Sequence, residues 1–143
     1  MDLVFEKNKK SVTKAQVCFV LPTFNEADNI RNVIEAIFDQ QVNVPDYQFK
    51  VLVVDDNSSD GTQQIVNQLI EKYDSLYLIS GEKNGLGNAY KRGFAYALKT
   101  LNSDFIFQMD SDGQHDPQII PDFISQVNQG YSLVIGSRFI EGG

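Results

Sequence analysis

The sequence predicts an α/β fold in which helices cover both faces of an open, mainly parallel sheet. Three observations carry that expectation. Short, unbroken apolar runs recur at Val17–Leu21, Val51–Val54, Leu76–Ile79, Phe105–Met109 and Leu133–Ile135, the pattern of strands buried on both faces. Apolar residues at helical spacing fill each interval between them. The resulting β-α-β-α-β-α-β-α-β order calls for parallel strands joined by right-handed crossovers.

The first helical pattern is Ile30, Val33, Ile34, Ile37 and Phe38, with Asn25 as its expected N-cap and Asp28 three positions on. Ile65, Val66, Leu69, Ile70 and Tyr73 form the second, capped by Asp60 with Gln63 three positions on. The third runs through Ala89, Tyr90, Gly93, Phe94, Ala97, Leu98 and Leu101. Ile120, Phe123, Ile124 and Val127 make the fourth, preceded by Asp116-Pro117, a cap and first-turn pair. Pro121 cannot donate to a helical ladder, which moves the start of the regular helix toward Pro121 itself. No internal repeat, linker or low-complexity stretch interrupts the order. Residues 1–15 read as a polar segment and 16–143 as the domain.

A chain of 143 residues makes one domain with room for a core. Its 42% hydrophobic and 22% charged content match globular averages and exclude disordered and fibrous classes. A net charge of −7 argues against a nucleic-acid partner. Lys7, Lys9, Lys10 and Lys14 crowd the start of the chain, as a solvated tail or a weak contact for anionic lipid. The single cysteine, Cys18, sits inside an apolar run and reads as a buried hydrophobe, compatible with a reducing compartment. Residues 1–16 lack the apolar centre of a signal peptide. The apolar runs are too short to span a bilayer, so the chain is expected to be soluble and cytoplasmic.

In parallel sheets of this kind ligands bind beyond the carboxyl ends of the strands, and the polar clusters fall there. Pro22-Thr23-Phe24-Asn25-Glu26 follows the first run, with proline ending the strand, a flat ring at the ligand edge and a carboxylate. Asp55-Asp56 follows the second. Two adjacent carboxylates repel each other, helix capping does not require both, and such a group can accept a hydrogen bond from a ribose hydroxyl or a base N–H. Lys83-Asn84-Gly85-Leu86-Gly87-Asn88 permits close backbone approach and feeds a helix N-terminus that favours anions. Asp110-Ser111-Asp112 is the most informative cluster. Residues i and i+2 at a frayed strand end present hard oxygens to one divalent cation, and Mg²⁺ or Mn²⁺ completes its shell with water and substrate phosphates. Gln114 supplies a further oxygen. His115 is a ligand, a supporting donor or a loop residue. Arg138 offers a guanidinium to a phosphate or to a structural carboxylate.

Together these stretches resemble the family 2 glycosyltransferases of the Rossmann-like GT-A fold, and more narrowly the polyprenyl-phosphate (dolichyl-phosphate) mannose and glucose synthases. The matching stretches are PTFNE at 22–26, VVDDNSSDGT at 53–62, KNGLGNAYKRG at 83–93, MDSDGQHDP at 109–117 and IGSRF at 135–139. They cover nearly all of the chain from about residue 16. The resemblance implies that Pro22, Phe24, Glu26, Val54 and Asp56 line a nucleotide pocket. It places Asp110, Ser111, Asp112 and Gln114 at the diphosphate, and Arg138 at a phosphate group. The cation, Mg²⁺ or Mn²⁺, falls to Asp110, Asp112 and Gln114, with Asp110 and Asp112 carrying catalysis. Phe24 stands where many relatives carry tyrosine, so stacking survives without the hydroxyl. Asn57 stands where glycine is frequent, and asparagine tolerates a left-handed turn.

The activity implied is an inverting transfer of a sugar from a nucleoside diphosphate, of the GDP-mannose or UDP-glucose type, to a polyprenyl phosphate. A phosphate monoester has a second pKa of about 6, so its oxygen is already ionised and needs no general base. A polysaccharide or glycoconjugate hydroxyl is the alternative acceptor, and it would need one. A non-catalytic nucleotide-binding domain is a further alternative, disfavoured by the intact Asp-x-Asp. A nucleotidyltransferase would carry a basic, Gly-rich loop after the first strand, and PTFNE is neither. The resemblance further implies acceptor elements and membrane contacts beyond Gly143. This chain, read as truncated there, is accordingly expected to bind donor while transferring little, and to work at the cytoplasmic face of a membrane when complete.

Overall fold

The computed structural model describes residues 13–137. Its elements are β1 (Ala15–Thr23), α1 (Ile30–Asp39), β2 (Tyr47–Asp55), α2 (Thr62–Ile70), β3 (Leu76–Ser80), α3 (Leu86–Lys99), β4 (Phe105–Gln108) and α4 (Ile120–Asn128). Short 3₁₀ turns at Gln40–Asn43 and Pro117–Ile119 extend α1 and introduce α4. All strand pairings are parallel, in the order β3-β2-β1-β4. The chain thus builds outward from β1 to β3, then crosses back to place β4 on the other side of β1.

Side-chain alternation along the strands divides the core into two layers. Val17, Phe19 and Leu21 of β1, with Phe49, Val51 and Val53 of β2, pack against α1, α2 and α4. Cys18, Val20, Leu52 and Val54 point the other way and meet α3 through Ala89, Tyr90 and Ala97. Reversing the direction of travel across the sheet moves a right-handed crossover to the opposite face, which is why α3, alone among the described helices, stands there. Burial pushes the Cys18 thiol up to about 12, as befits a side chain used as a small hydrophobe.

Several local expectations are corrected. Leu133–Ile135 forms no strand: among the described residues β4 pairs only with β1, and Leu133 and Ile135 are each 76% exposed. A strand persists as part of a ladder, and among the described residues this run joins none. Proline does not end β1, which continues to Thr23 with Pro22 opposite Val54. The register with β4 closes at Val20↔Gln108, so beyond it one side of β1 asks for no N–H. Asn25 is not a helix cap either. It takes a left-handed conformation, φ 53°, and α1 begins only at Ile30. Asp60 does serve the start of α2, accepting from the Thr62 N–H, although Gly61 occupies the cap position. Asp116 accepts from the Gln118 N–H, and α4 starts beside Pro121 as its missing N–H requires.

Candidate functional site

The strand order reverses at β1, so the crevice beyond the carboxyl ends of β1 and β4 is the switch point where such sheets bind ligands. A cleft of about 280 Å³ opens there. Pro22, Thr23, Phe24 and Glu26 line it from β1, Asp56 from β2, and Asp110, Ser111 and Asp112 from β4. Lys83, Gly85, Leu86 and Ala89 close it from the loop and first turn of α3. A larger hollow of about 590 Å³ lies at the amino ends of the strands, against Lys14, Gln41, Tyr47 and Tyr73. It is lined by no carboxylate and lies away from the switch point, so size alone does not make it the site.

The loops after β1 and β2 are laced into one wall. The Asn25 N–H donates to Ser58 Oγ, its side-chain oxygen accepts from the Ser59 N–H, and the Glu26 and Ala27 N–H groups donate to Thr62 and Asp60. Asp55, fully buried, accepts from the Ser58 N–H and hydroxyl and from Gln63. The adjacent carboxylates therefore divide their work: Asp55 ties the loop and Asp56 faces the cleft. Asn57 adopts φ 58°, the left-handed turn that asparagine tolerates.

The β4 edge is held from two sides. Tyr90 of α3 donates its hydroxyl to Asp110 Oδ1 at 3.0 Å, and burial together with that carboxylate keeps the phenol above its ordinary pKa. The Asp110 N–H donates to His115 Nδ1, whose Nε2 stands 3.7 Å from Asp110 Oδ2. His115 thus buttresses Asp110 from outside the cleft. Ser111 donates its hydroxyl to the Pro22 carbonyl at 2.8 Å, joining the two strand ends. Asp112 Oδ1 accepts from the Gln114 N–H across Gly113, which takes φ 81°.

Not every expected residue reaches the cleft. Val54 is fully buried in the layer beneath α3, because strand alternation turns it into the sheet's face. Gln114 is exposed and does not line the cleft; its backbone, rather than its amide, meets Asp112. Arg138 lies outside the described residues. One cation, Lys83, lines the cleft, and a second, Arg92, holds a cleft carboxylate from behind. Lys83 Nζ stands 3.5 Å from the centroid of the Phe24 ring, and Arg92 pairs with Asp56 at 2.5 Å. Neither was legible as a partner from spacing alone, since both contacts join distant loops and helices.

Four carboxylates (Glu26, Asp56, Asp110 and Asp112) share this cleft with one lysine, so it favours a cation alongside any anionic ligand. Among the described residues no group of three or more acidic, histidine or cysteine side chains is gathered closely enough to cage a metal. Asp110 and Asp112 each retain a carboxylate oxygen that accepts none of the hydrogen bonds described above. That donor set suits a hard divalent cation which takes its remaining ligands from water and phosphate.

The family model for glycosyl transferase family 2 matches residues 18–143. The dolichol-phosphate mannosyltransferase of Pyrococcus furiosus is 34% identical over 128 residues, which is 90% of this chain and 34% of that protein. The polyprenol monophosphomannose synthase of Mycolicibacterium smegmatis is 34% identical over 126 residues, 87% of this chain and 45% of that one. The chain therefore spans between a third and a half of the length of these curated relatives. Among solved structures, the mannosyltransferase PcManGT from Pyrobaculum calidifontis, in complex with GDP-Man and Mn²⁺, superimposes with a TM-score of 0.58 at 27% identity, over 70% of this chain and 28% of that one.

Proposed function

We propose that this chain, which belongs to glycosyl transferase family 2, holds the donor in an inverting transfer of a sugar, mannose foremost, from its nucleoside diphosphate to a polyprenyl phosphate. The observation that carries the reading is the cleft itself. A ring and a carboxylate suited to a nucleoside lie on one side, and a pair of carboxylates suited to a metal–diphosphate lies on the other. The mannosyltransferase and polyprenol names of the relatives support the sugar and the acceptor.

Phe24, 39% exposed, offers a face for stacking a base. Lys83 now covers that ring, and a bound base would displace its ammonium toward the diphosphate. The N-terminal turn of α3 adds a positive dipole end to the same wall. Asp110 and Asp112 would hold Mg²⁺ or Mn²⁺, which when bound offsets the charge of the departing diphosphate. Tyr90 and the Gln114 N–H fix those two carboxylates in advance, so little reorganisation accompanies the reaction. Each cleft carboxylate already accepts a hydrogen bond, from Asn29, Arg92, Tyr90 or Gln114. An ionised lipid phosphate is an acceptor that needs no general base. A lipid acceptor implies work at a membrane surface; among the described residues no helix is long and apolar enough to cross one.

The test is transfer of labelled sugar by the polypeptide that carries residues 1–143. GDP-mannose and UDP-glucose serve as donors, and a polyprenyl phosphate or an oligosaccharide as acceptor. Label is expected in the organic phase as an acid-labile lipid-phosphate sugar. Label entering the oligosaccharide instead would establish the hydroxyl-acceptor alternative.

A further inference from the structure

Arg92 reaches from α3 to a carboxylate that lines the cleft. That carboxylate is Asp56, and the two charged side chains are only 31% and 9% exposed. Its Nε is buried and has no hydrogen-bond partner among the described residues. Leaving such a donor unpaired is unfavourable, and burying an ion pair is weak evidence for stability. Space for the guanidinium comes from Gly81, at the end of β3. A Cβ there would stand 2.9 Å from both Cζ and Nε of Arg92. The Asp56 backbone is meanwhile pinned by its N–H bond to the Thr23 carbonyl. Backbone and one carboxylate oxygen are thus fixed while Asp56 still lines the cleft.

We propose that Arg92, in the space left by Gly81, is a specificity-positioning residue: it orients the Asp56 carboxylate as an acceptor for a base that carries a proton on its ring nitrogen. Guanine N1 and uracil N3 carry that proton. Adenine N1 and cytosine N3 present a lone pair, which a carboxylate repels, and leave only the exocyclic amino group as a donor. The inference rests on the reading of this cleft as a nucleotide site, and it adds which residue orients Asp56 toward the base.

Two substitutions test it by different routes. Arg92→Met removes the cation. Gly81→Ala keeps both charged residues but pushes the guanidinium aside, and it is compatible with folding because the displaced atoms belong to the far end of a flexible side chain. Affinities for GDP, ADP, UDP and CDP are measured with Mg²⁺ on each variant, beside thermal melts. The wild type is expected to prefer GDP over ADP and UDP over CDP. Both variants should lose about tenfold or more in affinity for the preferred nucleotides, the scale of one hydrogen bond to a charged group, with ADP and CDP little changed. Arg92→Lys should restore part of the preference. Unaltered selectivity in both variants, or equal loss for all four nucleotides, would overturn the proposal. A wild type that binds none of the four would overturn the nucleotide reading of the cleft, and this inference with it.

Discussion

Asp112→Ala is expected to abolish most of the metal dependence of nucleoside diphosphate binding while leaving the fold intact. The side chain has one described partner, the Gln114 N–H, in an exposed turn, so its loss disturbs little else. Asp110 is a poorer probe, being tied to Tyr90 and His115 as well. Changes to residues that merely support metal ligands cost roughly 10- to 100-fold in affinity or activity. Removal of a direct oxygen ligand, one of the pair formed with Asp110, should cost at least that. Calorimetric titration of GDP with Mn²⁺, and again with a chelator, reads the effect directly. The wild type should bind far more tightly with metal, and the variant about equally in both. A variant that keeps the full metal response would remove Asp112 from the site.

Gly93→Ala is expected to destabilise the protein and to weaken the cleft from behind. Glycine inside a helix is unfavourable by about 1 kcal/mol relative to alanine, so its presence in α3 points to packing. A Cβ there would press into Val20 and stand 2.9 Å from Val54 Cγ2. Both valines are fully buried on neighbouring strands, and neither has room to retreat. Overpacking of this kind costs about 1–3 kcal/mol, and here it also forces α3 away from the sheet. Tyr90 and Arg92 ride on that helix, so the supports of Asp110 and Asp56 shift together. The melting temperature should fall on the order of 5 °C, with nucleotide affinity falling beside it. A variant melting with the wild type would mean that α3 is not seated by Gly93.

The same helix shows what a sequence can and cannot disclose. The apolar periods of α1 to α4 and the β-α order were legible because burial on a sheet imposes them directly. The polar turns at Pro22–Glu26, Asp56 and Asp110–Asp112 were legible because a parallel sheet sends strand ends to one edge. The pairing of Arg92 with Asp56 was not. It depends on how closely α3 approaches the sheet, which Gly93 permits, and on the space Gly81 leaves for the guanidinium, not on any local pattern. Val54 was placed in the cleft by its neighbour's motif, yet strand alternation buries it. Leu133–Ile135 carries the composition of a strand, but pairing is a property of neighbours, and among the described residues it has none. Gln41 was likewise silent in the sequence, although its amide donates to the Tyr47 carbonyl and accepts from the Phe49 N–H, fixing the start of β2.

The central claim is that cation and diphosphate bind together at the switch point between β1 and β4. Paramagnetic broadening of backbone amide signals by Mn²⁺, added with GDP to ¹⁵N-labelled protein, locates the ion without reference to activity. Broadening should centre on residues 109–113 and extend to residues 22–24, and it should diminish in Asp112→Ala. Broadening centred on Lys14, Gln41 and Tyr47, at the amino ends of the strands, would contradict the account.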